Sequence, residues 1–339
     1  MLLTGIGVFL VGIIKFSNLL QAGSNERVKQ MFEKMGENRM VGFGVGTGAT
    51  VFVQSSTATT VIVVGLVNAG MMTLTQSTAV IFGANLGTAL SNILLSFSAF
   101  RIKYFFMALV FVGATTKMVT KNKRANKIAD ILMSFGIIFV GLEIMSSTFS
   151  GNVYLRDAFS SMFEAVSFPL LLVLLGLLLT AIMQSSTAAT AVFISLAANN
   201  VIGLTSIIYL VIGTRLGTTV TTLIAAIPAN KNAKRAAMIH FLFNLFGTIL
   251  FLAIVWPFEN AIVGWFEGLI VDPIWQITVF GLIFSLVTAA VLLVFIKPMN
   301  SLVFWIIKDK PEQITIEEVA PQMVEEGEQD TFQGFTDKF

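Results

Sequence analysis

Cysteine is absent from this 339-residue chain, and histidine occurs once, at position 240. Without cysteine there is no disulfide framework, thiol nucleophile or Cys-ligated zinc. Charge is scarce too: Asp, Glu, Lys and Arg make up 12% of residues, against about 25% in soluble domains. The apolar stretches hold no Asp/Glu pair, no His cluster and no metal-ligand spacing. Glu143 alone cannot run acid–base or metal-assisted hydrolysis, which argues against an intramembrane enzyme. No separate basic domain is present to bind nucleic acid.

What is abundant is apolar. Hydrophobic residues make up 55% of the chain and the mean hydropathy is +0.85. With apolar runs of 17 or more residues, this composition argues for a polytopic membrane protein in a lipid bilayer. The stretch from Met1 to Leu20 lacks a basic n-region and a small-x-small cleavage site, and Lys15 interrupts it. It reads as a retained span rather than a signal peptide. The 31 Phe suit lipid-facing and packing surfaces and call for no cofactor.

The chain is internally duplicated. Gln54-Ser55-Ser56-Thr57-Ala58-Thr59-Thr60 returns 130 positions later as Gln184-Ser185-Ser186-Thr187-Ala188-Ala189-Thr190, and Gly83-Ala84-Asn85-Leu86-Gly87-Thr88 returns at the same offset as Gly213-Thr214-Arg215-Leu216-Gly217-Thr218. Two motifs at one constant spacing make chance similarity a poor explanation. Repeat 1 is expected over 1–119, with crossings at 2–22 and 104–119, a re-entrant hairpin at 40–70 and a crossing at 74–98 broken near Asn85–Gly87. Repeat 2 is expected over 128–256, with crossings at 128–150 and 235–256, a hairpin at 168–200 and a broken crossing at 204–227. The apolar lengths of the hairpins allow two half-helices each, not two full crossings, which need about 20 residues. Positions 23–39 read as a loop or surface helix and 151–166 as a polar loop. An extra span at 274–296, with its flanks over 257–308, has no partner in the repeat. Positions 309–339 read as a cytoplasmic polar acidic tail.

Three crossings per repeat force the two copies into opposite orientations. With the N-terminus outside, the loops facing the cytoplasm hold 15 Lys and Arg, whereas the outer loops hold Arg101, Lys103 and Arg156. The positive-inside rule selects this orientation, with a cytoplasmic C-terminus. The expected fold is therefore an all-α polytopic membrane protein of the cell membrane. It is an inverted-topology repeat with two re-entrant helical hairpins and two broken transmembrane helices.

Inverted hairpins whose polar tips meet near the midplane point to a transporter's binding site. Each Ser-Ser-Thr would open the second half-helix of its hairpin, so free N–H groups and the positive end of the helix dipole favour an anion. Gln54, Gln184, Asn85 and Asn92 offer neutral oxygens of the kind monovalent cations prefer. Anion donors beside cation acceptors suggest co-transport of an anion with sodium.

The paired Gln-Ser-Ser-Thr motifs, each followed about 30 residues on by the Gly-x-Asn-x-Gly-Thr pattern or its Arg variant, resemble the type II sodium/phosphate cotransporters. His240-Phe241-Leu242-Phe243-Asn244 is similar to that family's pattern as well. The resemblance covers roughly residues 1–296. It implies phosphate contact at Ser55, Ser56, Thr57, Ser185, Ser186 and Thr187, and sodium ligation at Gln54, Asn85, Thr88, Asn92, Gln184 and Thr218. One departure stands out: Arg215 occupies the place where the family pattern and repeat 1 have Asn. A guanidinium cannot ligate sodium, but it can fork to phosphate or stand in for a cation.

Plainer readings stand beside these. Isolated Ser and Thr in membrane helices often bond back to their own helix, and the glycines of Gly44–Gly48 serve close packing as readily as ligand contact. Lys15 and Glu143 sit at similar places in the first helices of the two repeats and are expected to form a structural ion pair. His240 is expected to make a structural hydrogen bond. The leading expectation is sodium-coupled symport of inorganic phosphate, with sodium as the coupling ion and no cofactor or transition metal. Alternatives are a carrier or exporter of phosphate or another oxyanion with reduced or no sodium coupling, and a channel. The sequence does not choose between a monomer and a homodimer.

Overall fold

A computed structural model describes residues 1–33, 36, 38–99, 103–166 and 168–308. The expected acidic tail and Arg101 lie outside the described residues. In chain order the helices are α1 (Leu2–Glu33), α2 (Arg39–Val53), α3 (Ser56–Asn68), α4 (Leu74–Ser96), α5 (Lys103–Val119), α6 (Lys123–Ser150), α7 (Val153–Ala165), α8 (Pro169–Met183), α9 (Ser186–Ala198), α10 (Leu204–Ala225), α11 (Lys231–Val255), α12 (Glu259–Leu269), α13 (Pro273–Val294) and α14 (Ile296–Ile306). No strand occurs among the described residues. An all-helical fold suits a bilayer, because a helix satisfies its own backbone polar groups where no water can. Six helices are long and apolar enough to cross: α1, α4, α6, α10, α11 and α13. The expected crossing at 104–119 is α5, which with 17 residues falls short of them.

The two copies share their internal packing. In repeat 1, Gly46 of α2 abuts the Val80 carbonyl of α4, Gly83 abuts the Phe43 carbonyl, and Gly87 abuts Thr47 and Thr50. In repeat 2, 130 residues later, Gly176 of α8 abuts the Leu210 carbonyl of α10, Gly213 abuts Val173, and Gly217 abuts Leu177 and Thr180. A side chain at any of these six glycines would drive the helices apart, so small residues set the helix spacing here. Left-handed backbone recurs at the same offset: Gln54 and Gln184, then Gly70 and Asn200, all have positive φ. The helices that carry the second motif form the centre, with 83% of the α4 window and 72% of the α10 window buried, against 33% for α1.

The first helices of the two copies, α1 and α6, pack against each other and run antiparallel. Gly5 lies against Met145, Gly12 against Ile138 and Gly141 against Phe9. This register corrects one expectation: Lys15 does not meet Glu143. Lys15 Nζ lies 3.6 Å from Asp130, which Lys117 of α5 approaches at 2.7 Å. Glu143 instead pairs with Lys103 at 2.7 Å, at the opposite end of α6.

The expected breaks in the crossings at 74–98 and 204–227 are also corrected: α4 and α10 are continuous helices. The polar residues bond back into their own helix instead of opening it. Asn85 Nδ2 donates to the Ile81 carbonyl at 2.9 Å and Thr88 Oγ1 to Ala84 at 3.2 Å. In α10, Thr214 and Thr218 donate to Val211 and Arg215. The neighbouring glycines admit α2 and α8 and do not break the helix. The stretch 151–166 is not a loop but largely the helix α7, started by Asn152, whose side chain accepts from the Leu155 N–H at 3.0 Å.

Candidate functional site

Each hairpin turns on two residues. Gln54 ends α2 at φ 57, ψ 25, and Gln184 ends α8 at φ 52, ψ 24. Left-handed geometry costs an ordinary residue about 1–2 kcal/mol, and local strain of this kind concentrates at functional sites. The next residue is extended and caps the second half-helix: Ser55 Oγ accepts from the Ala58 N–H at 3.1 Å, and Ser185 Oγ from the Ala188 N–H at 3.2 Å. Capping leaves the hydroxyl hydrogens of Ser55 and Ser185 free to donate. The first two N–H groups of each half-helix, those of Ser56 and Thr57 and of Ser186 and Thr187, have no acceptor within the helix.

The two tips meet. Gln54, Ser55, Ser56 and Thr57 face Gln184, Ser185, Ser186 and Thr187 across a small cavity of about 30 Å³, and Thr88 and Ser91 of α4 complete its lining. No charged side chain is among them. Two helix N-termini, each worth about half a positive charge, converge on one space. The hydroxyls of α4 have the opposite character. Thr88 donates to Ala84, and Ser91 donates to the Gly87 carbonyl at 2.9 Å, so both present lone pairs to the cavity. Donors for an anion and acceptors for a cation therefore share it. Ser91 was not among the expected residues, although it lies one turn beyond Thr88 on the same face of α4.

Four expected residues lie elsewhere. Asn85 faces α11, where its Oδ1 accepts from Asn244 Nδ2 at 3.2 Å. Asn92 is buried, and its Oδ1 has no partner among the described residues. Thr218 is committed to the Arg215 carbonyl at 2.6 Å. Arg215, expected at the phosphate, is not among the residues that line the cavity. It is 4% exposed, its Nη2 donates to the Gly281 carbonyl of α13 at 3.0 Å, and its guanidinium lies 5.6 Å from the Phe284 ring centre. The physical reason is space: Gly281 leaves room for the guanidinium beside an acceptor and an aromatic face. His240 Nδ1 meets Thr222 Oγ1 at 3.2 Å.

A family model described as Na+/Pi-cotransporter matches residues 8–147 and 154–263, which include both hairpins and both central helices. The chain belongs to the Na+/Pi-cotransporter family. The chain is similar to YqeW of Bacillus subtilis (strain 168), 27% identical over 299 residues, covering 88% of this chain and 94% of YqeW. YjbB of Escherichia coli (strain K12), which carries a name for inorganic phosphate export, is 28% identical over 287 residues, 84% of this chain. The chain spans about half of YjbB, 51% of its length. Human sodium-dependent phosphate transport protein 2C is 35% identical over 132 residues, 35% of this chain and 22% of that protein. The family, YjbB and protein 2C are named for transport or export, and none of these names is that of an enzyme. No solved structure matches.

Proposed function

We propose that this protein is a secondary active transporter that carries inorganic phosphate across the cell membrane with sodium as the coupling ion. The observation that carries the reading is the shared cavity between two hairpin tips, lined by free N–H groups and hydroxyls without a charged side chain. The phosphate contacts are Ser55, Ser56, Thr57, Ser185, Ser186 and Thr187. Thr88, Ser91, Gln54 and Gln184 supply oxygens for sodium. Two helix N-termini bring about one positive charge, whereas phosphate near neutral pH carries roughly one to two negative charges. A co-bound cation removes the remainder in a medium where uncompensated charge is costly. Alternating access follows from movement of one repeat against the other about the shared tips, with the N-terminus outside and the C-terminus in the cytoplasm.

A second reading, export or carriage of an oxyanion with less or no sodium, has two supports. One is the export name of YjbB. The other is Arg215, which stands where repeat 1 has Asn85. Labelled phosphate uptake into proteoliposomes under an inward sodium gradient, against a matched potassium gradient, separates the readings. Sodium-driven accumulation in the wild type is expected. In Ser186→Ala it is expected to fall by about tenfold or more, since a hydrogen bond to a charged ligand is worth about 1.5–3 kcal/mol. Accumulation indifferent to sodium selects the second reading, and no phosphate flux under either gradient would refute both.

A further inference from the structure

We propose that Arg215 is a tethered cation that replaces one coupling ion, with α13 as its holder. The proposal rests on the transport reading above and assigns its charge balance. The internal duplication sets the comparison. Asn85 and Arg215 are the same position in two copies, on two central helices that pack identically against their hairpins. Repeat 1 presents a neutral amide there, so any positive charge at that place comes from solution. Repeat 2 carries its own.

The surroundings of Arg215 are those of a bound cation. The guanidinium donates to one neutral carbonyl, that of Gly281, and lies near the Phe284 ring. Among the described residues it has no carboxylate partner, and no Asp or Glu is buried. Its Nε is a buried donor with no partner, and Ser285 Oγ, on the next residues of α13, is buried and unpartnered too. A guanidinium stays protonated in proteins, so a full positive charge sits inside the bundle without a protein counter-charge. The transported anion supplies that counter-charge. Alongside about one positive charge from the two helix N-termini, Arg215 takes over part of the charge that sodium would otherwise bring to the anion.

The holder is specific to this arrangement. A Cβ at position 281 would stand 2.7 Å from Arg215 Nη2, so any larger residue there makes the end of the guanidinium shift. Helix α13 lies outside the repeat and beyond the residues matched by the family model, which end at 263. The extra span thus acquires a role: it fixes a charge that otherwise arrives and leaves with each cycle.

The test uses the full chain in proteoliposomes, measuring phosphate uptake against sodium concentration and the charge moved per phosphate. Arg215→Asn restores the amide of repeat 1. The expected result is a sodium Hill slope steeper by about one and one further elementary charge carried inward per phosphate. Arg215→Lys keeps a cation and is expected to retain the wild-type slope and charge. Gly281→Ala, which displaces the guanidinium without removing it, is expected to weaken phosphate binding measured without sodium, and added sodium is expected to restore it. Should Arg215→Asn fail to fold, Gly281→Ala carries the test alone. Intact uptake by Arg215→Asn with unchanged slope and charge overturns the proposal, as does phosphate binding by Gly281→Ala that sodium cannot rescue. Absence of phosphate flux already in the wild type is a different failure and refutes the transport reading itself.

Discussion

The two repeats share a backbone plan and differ in charge. Their hairpins turn on the same left-handed glutamine and cap with the same serine, and their central helices meet the hairpins through glycines at one offset. Around that shared frame the neighbours diverge. Asn85 faces another amide, Asn244 of α11, whereas Arg215 faces a carbonyl and a ring of α13. Helix α5 packs beside α6, while its counterpart α11 packs against α3, α4, α10 and α13 in the interior. The lesson is that duplication preserves what positions the ligand, namely turns, caps and helix spacing. It leaves the charge around the ligand free to change in one copy.

Substitutions at the glycines test the shared part most strongly. Gly83→Ala and Gly213→Ala place a methyl group against the Phe43 and Val173 carbonyls. Each is expected to cost about 1–3 kcal/mol as an overpacked contact, and the two costs should match, read as thermal midpoints in detergent. Gly65→Ala meets nothing within 4 Å and is expected to be neutral or to stabilise by up to about 1 kcal/mol through helix propensity. A large cost in one repeat alone would break the equivalence.

A smaller effect is expected at the ends of the α1–α6 contact. One end holds Lys15 and Lys117 against Asp130, and at the other Glu143 turns to Lys103 of α5. These pairs are partly exposed, with Lys103 at 25% and Glu143 at 30%. Lys103→Met should therefore shift stability by less than about 1 kcal/mol, and uptake should persist. A collapse of uptake at normal expression would show that this pair gates the path and is not a peripheral clasp.

The duplicated motifs made the hairpins legible in the sequence, and the expected tips at Gln54–Thr57 and Gln184–Thr187 line the cavity. Helix continuity was not legible. An Asn flanked by glycines reads as a break, yet glycine serves close packing as well as chain reversal, and only the neighbouring helix decides between them. Gly83 and Gly87 face α2, and Asn85 bonds back to Ile81. The direction of Arg215 was hidden for a related reason, because its partner lies on a span outside the repeat and symmetry says nothing about it. Ser91 was overlooked because it falls outside the quoted motif, although its spacing from Thr88 places both on one face. The Lys15–Glu143 expectation compared positions along two helices without their antiparallel register, which brings Lys15 to Asp130.

The central claim is that one anion is shared by two equivalent tips. Equilibrium binding of labelled phosphate to the purified protein, in sodium, for the wild type, Ser56→Ala, Ser186→Ala and the double variant tests it most directly. The account predicts one phosphate per chain, a similar loss of about tenfold or more for each single variant, and a further loss in the double variant. Two phosphates per chain, or full affinity retained by either single variant, would contradict it.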